Sequence, residues 1–130
     1  MNLVLDYKKY NVNNIFFYDP VKNTVMDDSK FIRIIYSDVN IILNGLYLKI
    51  IKLDNLDEIL NDVNLIEINI LAKYNNTKFK SIKIKEQLNY ILKKNPHDNI
   101  FILKISGIWE MEQTIGVTYK FLLDNILTIS

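Results

Sequence analysis

Apolar and polar positions alternate most regularly towards the C-terminus. Phe101, Leu103, Ile105, Gly107, Trp109 and Met111 fall on one side of a two-residue period, opposite Lys104, Ser106, Glu110 and Glu112. Ile115, Val117, Tyr119, Phe121 and Leu123 fall on one side of a second run, opposite Thr118 and Lys120. A period of two marks a strand with one buried face. The pattern predicts a hairpin of two strands with Glu112-Gln113-Thr114 as its loop. On this reading Trp109 packs in the core with Leu103, Ile105 and Met111 rather than serving as a stacking platform.

Earlier segments read less evenly. Phe31 to Tyr36 is rich in β-branched and aromatic residues, Asp38-Val39-Asn40 supplies turn chemistry, and a second apolar run spans 41–53; together they predict another hairpin. Gly45 within that run predicts a bulge or a sharp bend. A short strand is predicted at Asn14–Tyr18, followed by loop from Val21 to Lys30. Leu56, Ile59, Leu60 and Val63 recur at helical spacing, with Asp54 or Asn55 placed to cap them. Residues 65–74 are ambiguous. Ile66, Ile68 and Ile70 alternate as in a strand, whereas Asn64 and Glu67 resemble a capping pair; the second half leans to helix. Ser81 is placed to cap a helix carrying Ile84, Leu88, Ile91 and Leu92, which stops at Asn95-Pro96.

The order is strands, then helical material, then strands. It predicts an α+β fold in one domain over residues 1–130: a small, mainly antiparallel β-barrel (OB-like) or sandwich, with one or two helices inserted before the C-terminal hairpin.

Composition narrows the chemistry. The chain has 130 residues, no cysteine and one histidine. Disulfides, cysteine-based zinc sites and cysteine catalysis are excluded. Sixteen basic against 15 acidic residues leave a net charge of +1, which argues against a dedicated duplex binder. There are 22 Ile, 17 Asn and 15 Lys against one Arg and one Ala. Folding physics does not ask for that bias, and AT-rich coding accounts for it. No signal peptide and no run of 18 apolar residues is evident, so a soluble, membrane-free protein is expected.

No motif names a reaction. Gly45, Gly107 and Gly116 lie far apart and form no phosphate-binding loop. His97, next to Asp98, reads as an exposed turn residue rather than an oriented base. Asp27, Asp28 and Asp38 lack metal-loop spacing. The expected catalytic, cofactor-binding and metal residues are therefore none. A small carboxylate-based, metal-dependent enzyme is the remotest of three readings.

Charge is uneven. From Lys73 to Lys94 there are seven lysines and one acid, Glu86, interleaved with Tyr74, Phe79 and Tyr90. Lysines among rings suit single-stranded nucleic acid, where cations follow the backbone and rings stack on bases. The candidate contact set is Tyr74, Lys78, Phe79, Lys80, Lys83 and Lys85. The same block also reads as a solvated helix face in a Lys-rich chain. The rings Tyr7, Tyr10, Phe16, Phe17 and Tyr18 are too dense for one strand face. Some of them are candidates for a partner interface.

Two pairs of segments carry a resemblance. Phe31-Ile32-Arg33-Ile34-Ile35-Tyr36-Ser37 with Leu43-Asn44-Gly45-Leu46-Tyr47-Leu48, and Ser106-Gly107-Ile108-Trp109-Glu110 with Gly116-Val117-Thr118-Tyr119-Lys120-Phe121, resemble small β-rich proteins of AT-rich nucleo-cytoplasmic large DNA viruses. The second pair is also similar to the last strands of viral single-stranded-DNA-binding proteins with an OB fold. Those proteins commonly end in an acidic tail, whereas this chain ends Asn125-Ile126-Leu127-Thr128-Ile129-Ser130. The resemblance implies a non-enzymatic viral protein of the host cytoplasm or virion. Its leading expected partner is single-stranded nucleic acid. The alternative is a virion structural or assembly protein that docks a viral protein partner; an oligomer is compatible with either.

Overall fold

In a computed structural model of the chain, residues 4–23, 28–53 and 55–123 are described. β1 (Leu5–Asp6) leads into two 3-10 turns, Tyr7–Lys9 and Val12–Asn14. Then follow β2 (Ile15–Phe17), β3 (Val21–Lys22), β4 (Lys30–Ser37), β5 (Ile42–Asn44), β6 (Leu46–Ile51), α1 (Leu56–Tyr74), β7 (Phe79–Ser81), α2 (Ile84–Lys94), β8 (Ile100–Glu110) and β9 (Thr114–Leu123).

β8 is the central strand. β9 runs antiparallel along one of its edges. The other edge is shared: β6 pairs with residues 100–105 and β4 with residues 107–110, both antiparallel. β2, β3 and β5 add to β4, also antiparallel, whereas β1 on β6 and β7 on β9 are parallel. The fold is α+β with a mixed sheet. No pairing joins its outer strands, so the sheet does not close into a barrel. Both helices insert before the C-terminal hairpin, and they occupy the face that a second sheet would need in a sandwich.

One apolar cluster holds the layers together. Ile59, Val63, Ile66, Ile70 and Leu71 of α1 and Ile84, Leu88 and Leu92 of α2 bury against Ile32, Ile34, Leu46, Leu48, Ile50, Leu103, Ile105, Ile108, Ile115 and Val117. Burying a side chain of this size stabilises by about 1.5–3 kcal/mol. The helical period settles residues 65–74: Ile66 and Ile70 continue the face begun by Ile59 and Val63, and α1 runs unbroken through them. Asn55 caps it, its Oδ1 accepting the Glu58 N–H at 3.2 Å; Asp54, the other candidate, lies outside the described residues. Asn64 and Glu67 sit mid-helix and form no capping pair.

Three further expectations are corrected. The second run does not simply return along β4. Its first part, β5, pairs with β4, but Gly45 at φ 81° turns the chain so that β6 pairs with β8 instead. A left-handed φ of this kind favours glycine. Ser81 lies in β7 and does not cap α2. The residue at the cap position is Lys83, without a side-chain bond of its own. Glu67 reaches across from α1 instead: its Oε1 accepts the Ile84 N–H at 2.8 Å, and both carboxylate oxygens lie within 3.1 Å of the Lys83 N–H. Finally, the β8–β9 register slips between Ile105 and Gly107, a bulge at Ser106. The bulge inverts the alternation. Ile108 takes the core position, and Trp109 lies half-buried on the opposite face.

Candidate nucleic-acid interface

The residues of the basic block are engaged by several separate sets of neighbours. Tyr74 and Lys78 meet, but over a carboxylate: the Tyr74 hydroxyl donates to Glu110 Oε1 at 2.7 Å and Lys78 Nζ to Oε2 at 2.9 Å. Burial raises the Glu110 pKa. Hydrogen bonds from Lys78 and Tyr74, with the positive charges of Lys78 and Lys30, outweigh it and leave the carboxyl below its ordinary value. Burial and the bond to Glu110 push the Tyr74 phenol up. Tyr74 also packs edge-on against Phe17, with centroids 5.2 Å apart. Lys78 Nζ donates in addition to the Met111 carbonyl.

The other members have neighbours of their own. Lys80 Nζ bonds the Asn76 carbonyl at 3.3 Å. Phe79 is 72% exposed on the short outer strand β7. Lys83 lines a depression of about 350 Å³ with Glu86, Gln87, Tyr90 and Tyr119. Lys85 lines another, of about 260 Å³, with Leu60, Asn64, Ile82 and Asn89. Lys73, at the head of the block, holds the N-terminal segment. Its Nζ donates to the carbonyls of Val12, Asn13 and Ile15 at 3.0, 3.3 and 2.7 Å.

A more coherent surface lies on the face of the sheet turned away from the helices. The core positions of β4, β6, β8 and β9 point to α1 and α2, so the alternate positions point the other way. Strand register orders those positions into rows. Tyr47, Lys104 and Lys120 form one row across β6, β8 and β9. Arg33, Gly107 and Thr118 form a second across β4, β8 and β9, and Phe31, Trp109 and Gly116 a third. Lys104 Nζ stands over the Tyr47 ring, 5.6 Å from its centroid. A cavity of about 210 Å³ opens here between Phe31, Arg33, Asn44, Tyr47, Lys104 and Ser106.

The electrostatics of this face are one-sided. No Asp or Glu occupies an outward position of β4, β6, β8 or β9. Lys49 lies beside Asp6 of β1. Arg33, Lys104 and Lys120 make no ion pair among the described residues. Lys104 and Lys120 stand directly opposite each other, an arrangement that destabilises a sheet when nothing neutralises it.

Sequence reading missed this face for a definite reason. Its cations, Arg33, Lys104 and Lys120, are scattered over 88 positions of chain and meet only through strand pairing. The visible signal was polar residues on the unburied side of each strand, a side that any half-buried strand has.

The remaining candidates are placed as follows. His97 is exposed in the turn after α2. Asp38 Oδ1 accepts the N–H groups of Asn40 and Ile41 and shapes the β4–β5 turn. Asp27 lies outside the described residues. Among the described residues, no group of three or more His, Asp or Glu is placed to hold a metal ion, and no helix is long and apolar enough to cross a membrane. Comparison with protein-family models, with curated proteins and with solved structures returned no match for the chain.

Proposed function

We propose that the protein binds single-stranded nucleic acid on the face of its sheet turned away from α1 and α2. The observation that carries this reading is the row Tyr47–Lys104–Lys120: two opposed lysines flanked by a ring, with no carboxylate among the outward positions of the four strands. A phosphodiester backbone is the ligand that neutralises such a row, and rings beside it offer stacking to bases. The segments whose resemblance points to viral single-stranded-DNA-binding proteins form the β8–β9 pair at the centre of this face. The reading does not require an OB-like barrel, because an open sheet presents the same alternation of rings and cations.

The test compares two surfaces. Oligo-dT affinity is measured at several salt concentrations for wild type, for Lys104→Glu with Lys120→Glu, and for Lys80→Glu with Lys83→Glu. Three or four phosphate contacts give a slope of log K against log salt of about −2 to −3, from roughly −0.7 per contact to a single strand. The sheet-face pair is expected to abolish binding, and the helix-side pair to leave it within about twofold. The reverse pattern returns the site to the basic block. No binding by wild type at low salt overturns the nucleic-acid reading.

A second reading, a structural or assembly protein docking a protein partner, is favoured by one observation. The β4–β5 turn and the start of β5 carry apolar side chains into solvent, Val39 at 97% and Ile42 at 74% exposure. Apolar tips of this kind seat in partner pockets.

A further inference from the structure

On the same face of the sheet, two aromatic rings lie over glycines, and this specifies how a ligand would be held. A Cβ at Gly116 would collide with the six-membered ring and Nε1 of Trp109; a Cβ at Gly107 would meet the Phe31 ring at 2.8 Å and strike the Ile32 carbonyl. The backbone φ is positive at neither residue, since Gly45 is the glycine with that geometry. These two glycines are therefore explained by space and not by backbone conformation. Each empties the position beneath a ring.

A side chain on a sheet usually stands roughly perpendicular to it. A ring that leans across a neighbouring strand departs from that direction and covers the backbone of its neighbour. Trp109, from β8, leans over β9; Phe31, from β4, leans over β8. The two lean the same way, and Phe31 and Trp109 are direct cross-strand partners. About one strand spacing, roughly 5 Å, separates the strands they cover. Both rings are half-buried. Arg33 is one row away and Lys104 and Lys120 lie beyond it.

We infer that Phe31 and Trp109 form a two-ring platform on which neighbouring unpaired bases stack, with Gly107 and Gly116 as the positioning residues that lay the rings down. The inference rests on the nucleic-acid reading and adds to it the ligand class, unpaired bases read by their faces. A duplex keeps those faces covered. A protein partner would have no need of two rings laid over glycines beside Arg33, Lys104 and Lys120.

Trp109 is the chain's single tryptophan, so its emission reports on this platform alone. Titration of the full chain with oligo-dT is expected to quench that emission as binding saturates. An abasic oligomer of equal length and charge, which loses both stacked bases, is expected to bind at least about 30-fold more weakly and to leave the emission unchanged. Gly116→Ala, whose methyl lifts the indole, is expected to weaken oligo-dT binding by about 5- to 150-fold, the range that one stacked base supplies, while its far-ultraviolet circular dichroism stays that of wild type. Trp109→Phe is expected to keep most of the affinity.

Saturable binding without a change in Trp109 emission, or equal affinity for dT and the abasic oligomer, overturns the platform and leaves electrostatic binding standing. Absence of any binding at low salt overturns the nucleic-acid reading itself. If Gly116→Ala does not fold, the wild-type titration with the two oligomers decides the matter alone.

Discussion

Glu67 has no exposed surface, yet it is a carboxylate. Charge in such a place is costly unless its oxygens are satisfied. Here they accept the first N–H groups of α2, donors that a helix leaves without partners. Negative charge also suits the positive end of a helix. Burial nevertheless wins: it raises the Glu67 carboxyl above its ordinary value, against the lowering effects of the Ile84 and Lys83 N–H groups and the Lys83 charge. The sign of the pH dependence follows. In the window between the ordinary and the raised value the native state holds more protons than the unfolded one. This group's contribution is complete below the ordinary value and declines as pH rises through the raised one. Urea midpoints of wild type and Glu67→Gln, measured from pH 4 to 7, are expected to move in the variant's favour as pH rises. A constant difference across that range would show that Glu67 does not titrate there. Glu67→Ala is expected to cost about 1–3 kcal/mol at any of these pH values, since it strands buried N–H groups.

At the scale of the strand, one inserted residue decides which large side chain is inside. Before Ser106 the core side of β8 carries Phe101, Leu103 and Ile105; after it, Ile108. Ile108→Ala is accordingly expected to cost about 2–5 kcal/mol, the range for a filled core position. Trp109→Ala is expected to cost distinctly less, although it removes more atoms. Thermal or urea unfolding of the two variants orders them, and a larger loss for Trp109 would place the indole inside after all. The bulge also explains what the sequence could and could not convey. Strict alternation was right for β9 and for the first half of β8, because side-chain period alone sets the face there. It failed after Ser106, because a bulge leaves no mark in hydrophobic pattern when both candidate residues, Ile108 and Trp109, are apolar. α1 was readable once four apolar residues shared a face. The cap of α2 was not, because Glu67 lies 17 positions before Ile84 in sequence and meets it only through packing. Gly45 announced a bend but not its destination, since the partner of β6 is β8, some 50 residues further on.

At the scale of the whole molecule, the two faces of the sheet are asymmetric in a way that costs stability. One face is sealed by α1 and α2. The other keeps Lys104 opposite Lys120 with no carboxylate on the neighbouring strand positions, although an acid at either place would have made a favourable cross-strand pair. Lys104 leans to Tyr47 on its other side, the direction that takes its charge from Lys120. A repulsive pair at the centre of a sheet is explained when an anion neutralises it. The free protein then carries a strain that the bound one does not. Replacing Lys120 by Gln removes the repulsion and leaves an uncharged polar side chain in its place. In the absence of ligand, Lys120→Gln is expected to be more stable than wild type by about 0.2–1 kcal/mol at low ionic strength. The gain is expected to shrink in high salt, where exposed charges are screened. The same variant is expected to bind oligo-dT more weakly, with a salt slope shallower by about 0.7. Stability and affinity thus move in opposite directions for one substitution. Lower stability of Lys120→Gln in low salt would mean that the pair is not repulsive in the folded protein, and the argument from this row to an anionic ligand would fall.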